Sequence, residues 1–481
     1  MDIVDNNINN NKYINNNIKR HVSLSNNISY WLVLNTKYIK KENKSIINKY
    51  KKILNQKDIN TLIKCTKHNV NMVPIMYQLN NDNINLLMNE AFKCINIYMM
   101  KLINNYVKID HELIVKLIED FCKNGHINVV KYLYKEIGLT KQDFRSNNNS
   151  LYKSACENGN INIVKYLHKK IKLTKEDFQS SDNLECQRAC GNGYVDVVKY
   201  LHQEIRLTKE DFQSDGNYAC RLACENGHIN VVKYLHQETG MTKQDFQSGD
   251  NYACLLACSN GHFYIIKYLH QEIGLTKNNF QSNDNYSCQM ACKNGHINVV
   301  KYLHQEIKLT KNDFQSNDNY SCQMACKNGH INVVKYLHQE IKLTKQDFQS
   351  KDNVACRLAC SNGNLNVVKY LHQEIRLAKN DFRSRDNFAC RWTCEYGHIN
   401  VVKYLHQEIG LTKKDFQSNN NHACQWACYY GHDDVVKYLH QEIKLTKKDF
   451  QSQNNFAYNN ALKNKHNNVV NYLLNEINIF S

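Results

Sequence analysis

Glycine recurs every 34 residues along most of this chain: Gly125, Gly159, Gly193, Gly227, Gly261, Gly295, Gly329, Gly363, Gly397 and Gly431. An eleventh position keeps the register but holds Lys465. Spacing this strict is incompatible with one large core. It calls for a stack of short units, each burying its apolar faces against its neighbours. A length of 481 residues, which would suggest about three globular domains, loses that meaning in an array. Residues 283–311 are identical to residues 317–345, which points to an internal duplication.

Within one unit, Ile229, Val232 and Leu235 fall at i, i+3 and i+6, with Val231 and Tyr234 widening the same face. That is helical periodicity. Cys220, Ala223 and Cys224 mark a second helical face just before it, and Gly227 lies between the two. A helix commonly ends on a left-handed residue, and glycine adopts that conformation at least cost. The unit is therefore helix, tight turn, helix, and the fold class is all-α. The connector that follows carries a Thr three residues before an Asp, at Thr208 to Phe212, Thr310 to Phe314 and Thr412 to Phe416 among others. Each of the two side chains can cap a free backbone N–H of a helix start. A short helical turn is expected there, with the phenylalanine packed between repeats.

A 34-residue period also suits tetratricopeptide repeats. The residues decide between the two. The run Leu222-Ala223-Cys224-x-x-Gly227-His228-Ile229-x-Val231-Val232-Lys233-x-Leu235 closely resembles the ankyrin pattern L-A-A-x-x-G-H-L-x-I-V-x-L-L. The resemblance covers about 340 residues and implies an ankyrin-like helix-turn-helix solenoid. The units look like those of the divergent ankyrin-repeat proteins of large amoeba-infecting DNA viruses. The Asn-rich composition fits that likeness and is also what an AT-rich genome produces. There are departures. Tyr218-Ala219-Cys220-Arg221 replaces the T-P-L-H opening, the unit is one residue longer than 33, and the connector lacks the signature of a β-hairpin finger.

Four segments follow. Residues 1–57 are an Asn-rich N-terminal segment, disordered at 1–28, with helices suited to capping at 29–39 and 45–55. Residues 58–110 form two degenerate repeats, residues 111–455 ten regular repeats, and residues 456–481 a C-terminal capping repeat. No apolar run approaches the ~18 residues of a membrane span, and the N-terminus lacks the pattern of a secretory signal. The chain reads as a soluble, intracellular, cytoplasmic protein.

The formal net charge is +17. The signs are interspersed within each repeat, which argues against a nucleic-acid partner. A binder of nucleic acid or anionic surfaces through distributed lysines remains the alternative. The densest basic run, Lys37 to Lys52, has helical spacing and reads as a solvated face. Eight repeats carry a Cys-x-x-x-Cys pair, from Cys186/Cys190 to Cys424/Cys428, most with a histidine four residues on. A zinc ladder would need a converging second pair, whereas free cysteine also behaves as a small buried hydrophobe. We read the cysteines as reduced packing residues and expect no metal, no cofactor and no catalytic residue. The histidines of the Tyr-Leu-His positions (His202, His236, His270 and onward) end the second helix, where a polar or positive group suits the helix dipole. The histidines of the Gly-His positions read as hydrogen-bonders to backbone, as the ankyrin resemblance implies.

That resemblance also implies a non-catalytic scaffold that binds a partner protein, host or viral, on a concave face built from connector tips and first helices. Two positions vary between repeats on an otherwise constant frame. One follows the second cysteine: Glu225, Ser259, Lys293, Lys327, Ser361, Glu395 and Tyr429. The other precedes the first helix: Asp215, Asn283, Asn317, Lys351, Arg385 and Asn419. These thirteen residues are the expected partner-binding set, exposed and read by a single partner on a monomer.

Overall fold

The computed structural model describes residues 91, 95, 97–104 and 111–480. The expected disorder at 1–28, the capping helices at 29–39 and 45–55, and most of the two degenerate repeats lie outside these residues. Contacts divide the chain into two compact units, residues 1–189 with 196–207, and residues 190–195 with 208–481. Among the described residues all regular structure is helical.

The second unit is a run of near-identical repeats, and the one beginning at Thr344 shows how each is made. Its connector helix, Lys345–Phe348, starts with the expected capping box. The Thr344 N–H and hydroxyl both donate to Asp347 Oδ2, at 2.6 and 2.9 Å. The connector is thus helical, as its Thr-x-x-Asp signature predicts. Phe348 is fully buried, edge-on to His338 of the preceding repeat at 6.2 Å. The phenylalanine does pack between repeats.

The first helix, Ser350–Ser361, opens in a way that the sequence reading missed. Lys351, Asp352 and Asn353 are all left-handed, with φ of 49, 57 and 60°. Each such residue costs about 1–2 kcal/mol for an ordinary side chain, and Asn and Asp tolerate it best. The same triplet recurs at 283–285, 317–319, 385–387, 419–421 and 453–455. Part of the asparagine excess therefore has a structural use. The strain is offset locally. The Asn353 N–H donates to Gln349 O at 3.0 Å, and Arg357 reaches back to the carbonyls of Asp352 and Lys351 at 2.9 and 3.1 Å. Gln289, Gln323, Arg391 and Gln425 make the equivalent return bond in their repeats.

Gly363 closes the turn at φ 72°, and the second helix, Leu365–Gln373, buries Val367, Val368, Tyr370 and Leu371. The turn glycines do more than adopt a left-handed conformation. A Cβ on Gly295 would lie 2.5 Å from Nδ1 of His330, the Gly-His histidine of the next repeat. Rings of this kind lodge against most preceding turns and bond their carbonyls, as His296 Nε2 does to Ser259 O at 3.0 Å, and Asn160 and Asn364 take that place against Gly125 and Gly329. At Lys465 a lysine holds the same conformation at φ 61°.

In the first unit, capping boxes at Thr140 and Thr174 precede Lys141–Glu157 and Lys175–Phe178, and Ile161–Lys169 buries Ile163, Val164 and Leu167. Helix Ile97–Asn104 carries Lys101 over the Tyr132 ring, 5.7 Å from its centroid, a contact that second-helix lysines make in most repeats, from Lys131 over Tyr166 to Lys437 over Tyr472. Glu185 occupies the buried register position that is Ala219 one repeat later. Burial pushes its carboxyl up to about 7, with Lys153 3.5 Å away.

Candidate interaction surface

Each repeat spends its second helix on its neighbour. His304 Nδ1 lies 3.0 Å from the Tyr336 hydroxyl, and the same pairing joins His338 to Tyr370, His372 to Tyr404, His406 to Tyr438 and His440 to Tyr472. Burial lowers the pKa of His304, His338, His406 and His440. These histidines are therefore neutral partners of a tyrosine one repeat on. Of the polar or positive group expected at the end of the second helix, these imidazoles are the polar kind. Beside them, Lys301 stands over the Tyr336 ring and Lys335 over the Tyr370 ring, each at 5.9 Å.

The connectors form a second, charged ladder. Asp347 accepts from Gln315 of the preceding connector at 2.6 Å, and Lys311 lies 3.3 Å away. Burial works to raise the Asp347 pKa. The Thr344 N–H, Gln315, the Thr344 hydroxyl and Lys311 together hold it below the usual carboxylate value. Asp245, Asp313, Asp415 and Asp449 are held low in the same way, with Arg383 as the donor to Asp415.

The first helices and left-handed turns carry what remains. Asp215, Asn283, Asn317, Lys351, Arg385 and Asn419 all open their triplets, left-handed and exposed. Two are already paired to the neighbouring tip, Lys351 to Asp318 at 2.8 Å and Arg385 to Asp352 at 3.0 Å. Lys327 is exposed, and Glu225, Ser259, Lys293 and Tyr429 are half-buried. Ser361 and Glu395 are each only 6% exposed, against expectation. The Ser361 hydroxyl turns back to Leu358 O at 3.2 Å, and His422 of the next repeat lies 3.5 Å from the Glu395 carboxylate. Identical register does not guarantee identical exposure when the neighbouring side chains differ.

The paired helices, the Gly-His turn and the repeat-to-repeat register agree with what comparison finds. The family model described as ankyrin repeats (3 copies) matches residues 186–281, 254–352, 289–386, 322–415, 356–449 and 391–481. The chain belongs to the ankyrin-repeat family. No curated protein matches it. Ankyrin repeats are a non-catalytic fold class generally used for protein–protein interaction. In this ankyrin array the helical connectors and left-handed triplets replace the finger of the usual unit.

The cysteines of the array are free and buried. Burial pushes the thiols of Cys220 and Cys288 up to about 12 and also raises Cys224 and Cys292 well above the ordinary thiol value. A thiol held protonated is a poor nucleophile and a poor metal ligand. Cys288 instead donates to the carbonyls of left-handed Asn285 and of Asp313, at 3.3 and 3.4 Å. Among the described residues no group of three or more His, Cys, Asp or Glu could hold a metal ion, and no helix is long and apolar enough to cross a membrane.

One feature of the ankyrin first helices escaped the sequence reading. From the Cys220/Cys224 pair onward, the residue two after the first cysteine forms an apolar row: Leu222, Leu256, Met290, Met324, Leu358, Trp392 and Trp426. At its C-terminal end the row becomes a ring cluster. Phe388 stacks on Trp392 with centroids 5.1 Å apart, and His422 stacks on Trp426 at 5.6 Å. Tyr396 and Tyr430 flank the tryptophans at 5.5 and 5.9 Å. The available signal was the change from aliphatic to aromatic at one register position.

Proposed function

We propose that this ankyrin-repeat protein is a non-catalytic scaffold that binds a partner protein on the face made by the left-handed turn tips and the first helices. The observation that carries the reading is a division of labour. Second helices are nearly invariant and engaged with the next repeat, whereas the tips and first helices differ from repeat to repeat and are accessible at Asp215, Asn283, Asn317, Lys327, Lys351, Arg385 and Asn419. Glu225, Ser259, Lys293 and Tyr429 complete the face at its half-buried edge. The buried free thiols favour a reducing compartment, hence the cytoplasm. The Asn-rich composition and the form of the units favour a large DNA virus as the source, with a host or viral protein as the partner.

The test is affinity capture from native cells with the full chain, followed by binding of the captured partner to paired variants. Lys293→Glu/Lys327→Glu should weaken a partner of the central repeats, while Lys301→Glu/Lys335→Glu on the second helices should not. The reverse pattern would move the binding face to the other side. A second reading has one observation in its favour: exposed second-helix lysines at 34-residue intervals, Lys233, Lys267, Lys301, Lys335, Lys369, Lys403 and Lys437. Such a row could hold nucleic acid or an anionic surface. In that case log affinity should fall steeply with log salt concentration, and the second-helix variants should be the damaging ones.

A further inference from the structure

The ring cluster surrounds an acid that the array leaves without a cation. Glu395 is 6% exposed, and its Oε2 has no hydrogen-bond partner. His422 Nε2 is 3.5 Å away, but burial pushes that imidazole down to about 4, so it is neutral near pH 7. Burial raises the Glu395 pKa, and Arg391, one turn earlier on the same helix, opposes this only through its charge. Its Nε and Nη2 are spent on the carbonyls of Asp386 and Arg385, at 2.8 and 2.9 Å. A buried carboxylate without a bonded cation is costly. Tryptophans replace aliphatic residues around it, and the outer rings Tyr396 and Tyr430 are 47% and 46% exposed.

We propose that this cluster, on helices Ser384–Glu395 and Ser418–Tyr429, receives an arginine side chain presented by a partner protein, its guanidinium continuing the ring stack and pairing with Glu395. The inference rests on the interaction-face reading and gives that face a partner chemistry. Geometry favours arginine over lysine. Three ring pairs lie near parallel, at 26° for Phe388–Trp392, 28° for His422–Trp426 and 32° for Trp426–Tyr430, while Trp392 is tilted 39° from Tyr396 and 43° from His422. Such a stack accepts a planar cation, which is weakly hydrated and can bond a carboxylate through two N–H groups. An ammonium is a compact, strongly hydrated point charge. The same face already uses this contact internally: Arg357 lies 5.1 Å over the Phe388 ring and Arg221 lies 5.2 Å over Tyr218.

The experiment is selection of a displayed random-peptide library on the full chain, followed by titration of the enriched peptides as synthetic probes. Enriched sequences should carry arginine, and Arg→Lys in the peptide should weaken binding about tenfold or more. Glu395→Ser and Trp392→Leu/Trp426→Leu install residues that the array holds at the same register in other repeats, at Ser259, Ser361, Leu222 and Leu256. They should leave the thermal transition in place and reduce binding by a similar factor. Enriched peptides without arginine, or arginine peptides indifferent to Glu395→Ser, would overturn the arginine assignment. In that event, sensitivity to Lys293→Glu/Lys327→Glu would still uphold the interaction face. Peptides lost only on Lys301→Glu/Lys335→Glu, or no enrichment at all, would overturn both.

Discussion

The two ends of each helix pair close on a left-handed residue, yet they follow different rules. At the Gly-His end the residue is glycine at ten positions from Gly125 to Gly431, and at most of them a side chain of the next repeat, usually the histidine ring, occupies the space of a Cβ. At the connector end the same conformation is held by Gly240, Gly274 and Gly410, but also by Arg206, Lys308, Lys342, Arg376 and Lys444. No atom lies within 4 Å of a Cβ on Gly240 or Gly274, so a long side chain is accommodated. Backbone strain is common to both ends, and only the neighbour's side chain separates them. The ends also differ in charge. The Gly-His end is tied by imidazoles and amides, such as Asn294 Nδ2 to Ser259 O at 2.8 Å, whereas the connector end is tied by carboxylates and cations.

Acid should have the largest effect, because it acts on every repeat at once, and it should separate the two ends. Burial lowers the pKa of His228, His296 and His398 at the Gly-His turns and of the second-helix histidines His270, His304, His338, His406 and His440. A histidine held neutral on folding contributes stability above its unfolded pKa, about 6.5, and that contribution is lost as pH falls below it. The connector aspartates have depressed pKa values as well. Their contribution is present above about 3.9 and is lost as pH falls from there through the folded values. The urea midpoint of the full chain should therefore drop in two steps, the first below about pH 6.5 and the second below about pH 4. Asp347→Asn, which copies the natural Asn279, should shrink the second step alone. A midpoint that is flat from pH 7 to pH 5 would remove the histidines from this account.

Next in size is the turn glycine. Gly295→Ala should cost about 2–5 kcal/mol, the sum of left-handed strain and a displaced ring. Gly274→Ala, at the open end, should cost only the strain, about 1 kcal/mol. Adding His330→Ala to Gly295→Ala should cost less than the two single changes summed, a coupling read from a double-mutant cycle of denaturation midpoints. Equal costs at Gly295 and Gly274 would erase the distinction between the ends.

A smaller effect is available at the one connector that lacks its hydroxyl. Ala378 retains only the return half of the capping box, its N–H donating to Asp381 Oδ2 at 2.6 Å. Ala378→Thr should stabilise by about 1 kcal/mol, and Thr344→Ala should cost a similar amount, both measured by chemical denaturation. Smallest is Lys308→Gly. Relief of left-handed strain is offset by the chain entropy that glycine adds, for a net gain under about 1 kcal/mol. A loss there would mean that the lysine side chain is needed at the connector end.

What the amino-acid sequence alone determined is whatever depends on residues a few positions apart. The all-α helix pair follows from the spacing of Ile229, Val232 and Leu235, the turn from Gly227, and the helical connector from Thr208 and Asp211, because helical periodicity and capping act within about one turn. The left-handed triplets were also local. The signal, Asp or Asn followed by Asn at one register position, was present but was taken for a helix start. Tertiary structure decided what depends on residues 32 to 37 apart. The ring that forbids a Cβ at Gly295, the tyrosine that pairs with His304, and the cation that completes Asp347 each belong to an adjacent repeat. Glu395 shows the limit most directly. It shares its register with exposed Lys327, yet stacking sets His422 beside its carboxylate. Exposure is a property of the neighbour's side chain as well as the residue's own, and no window along the chain brings the two together.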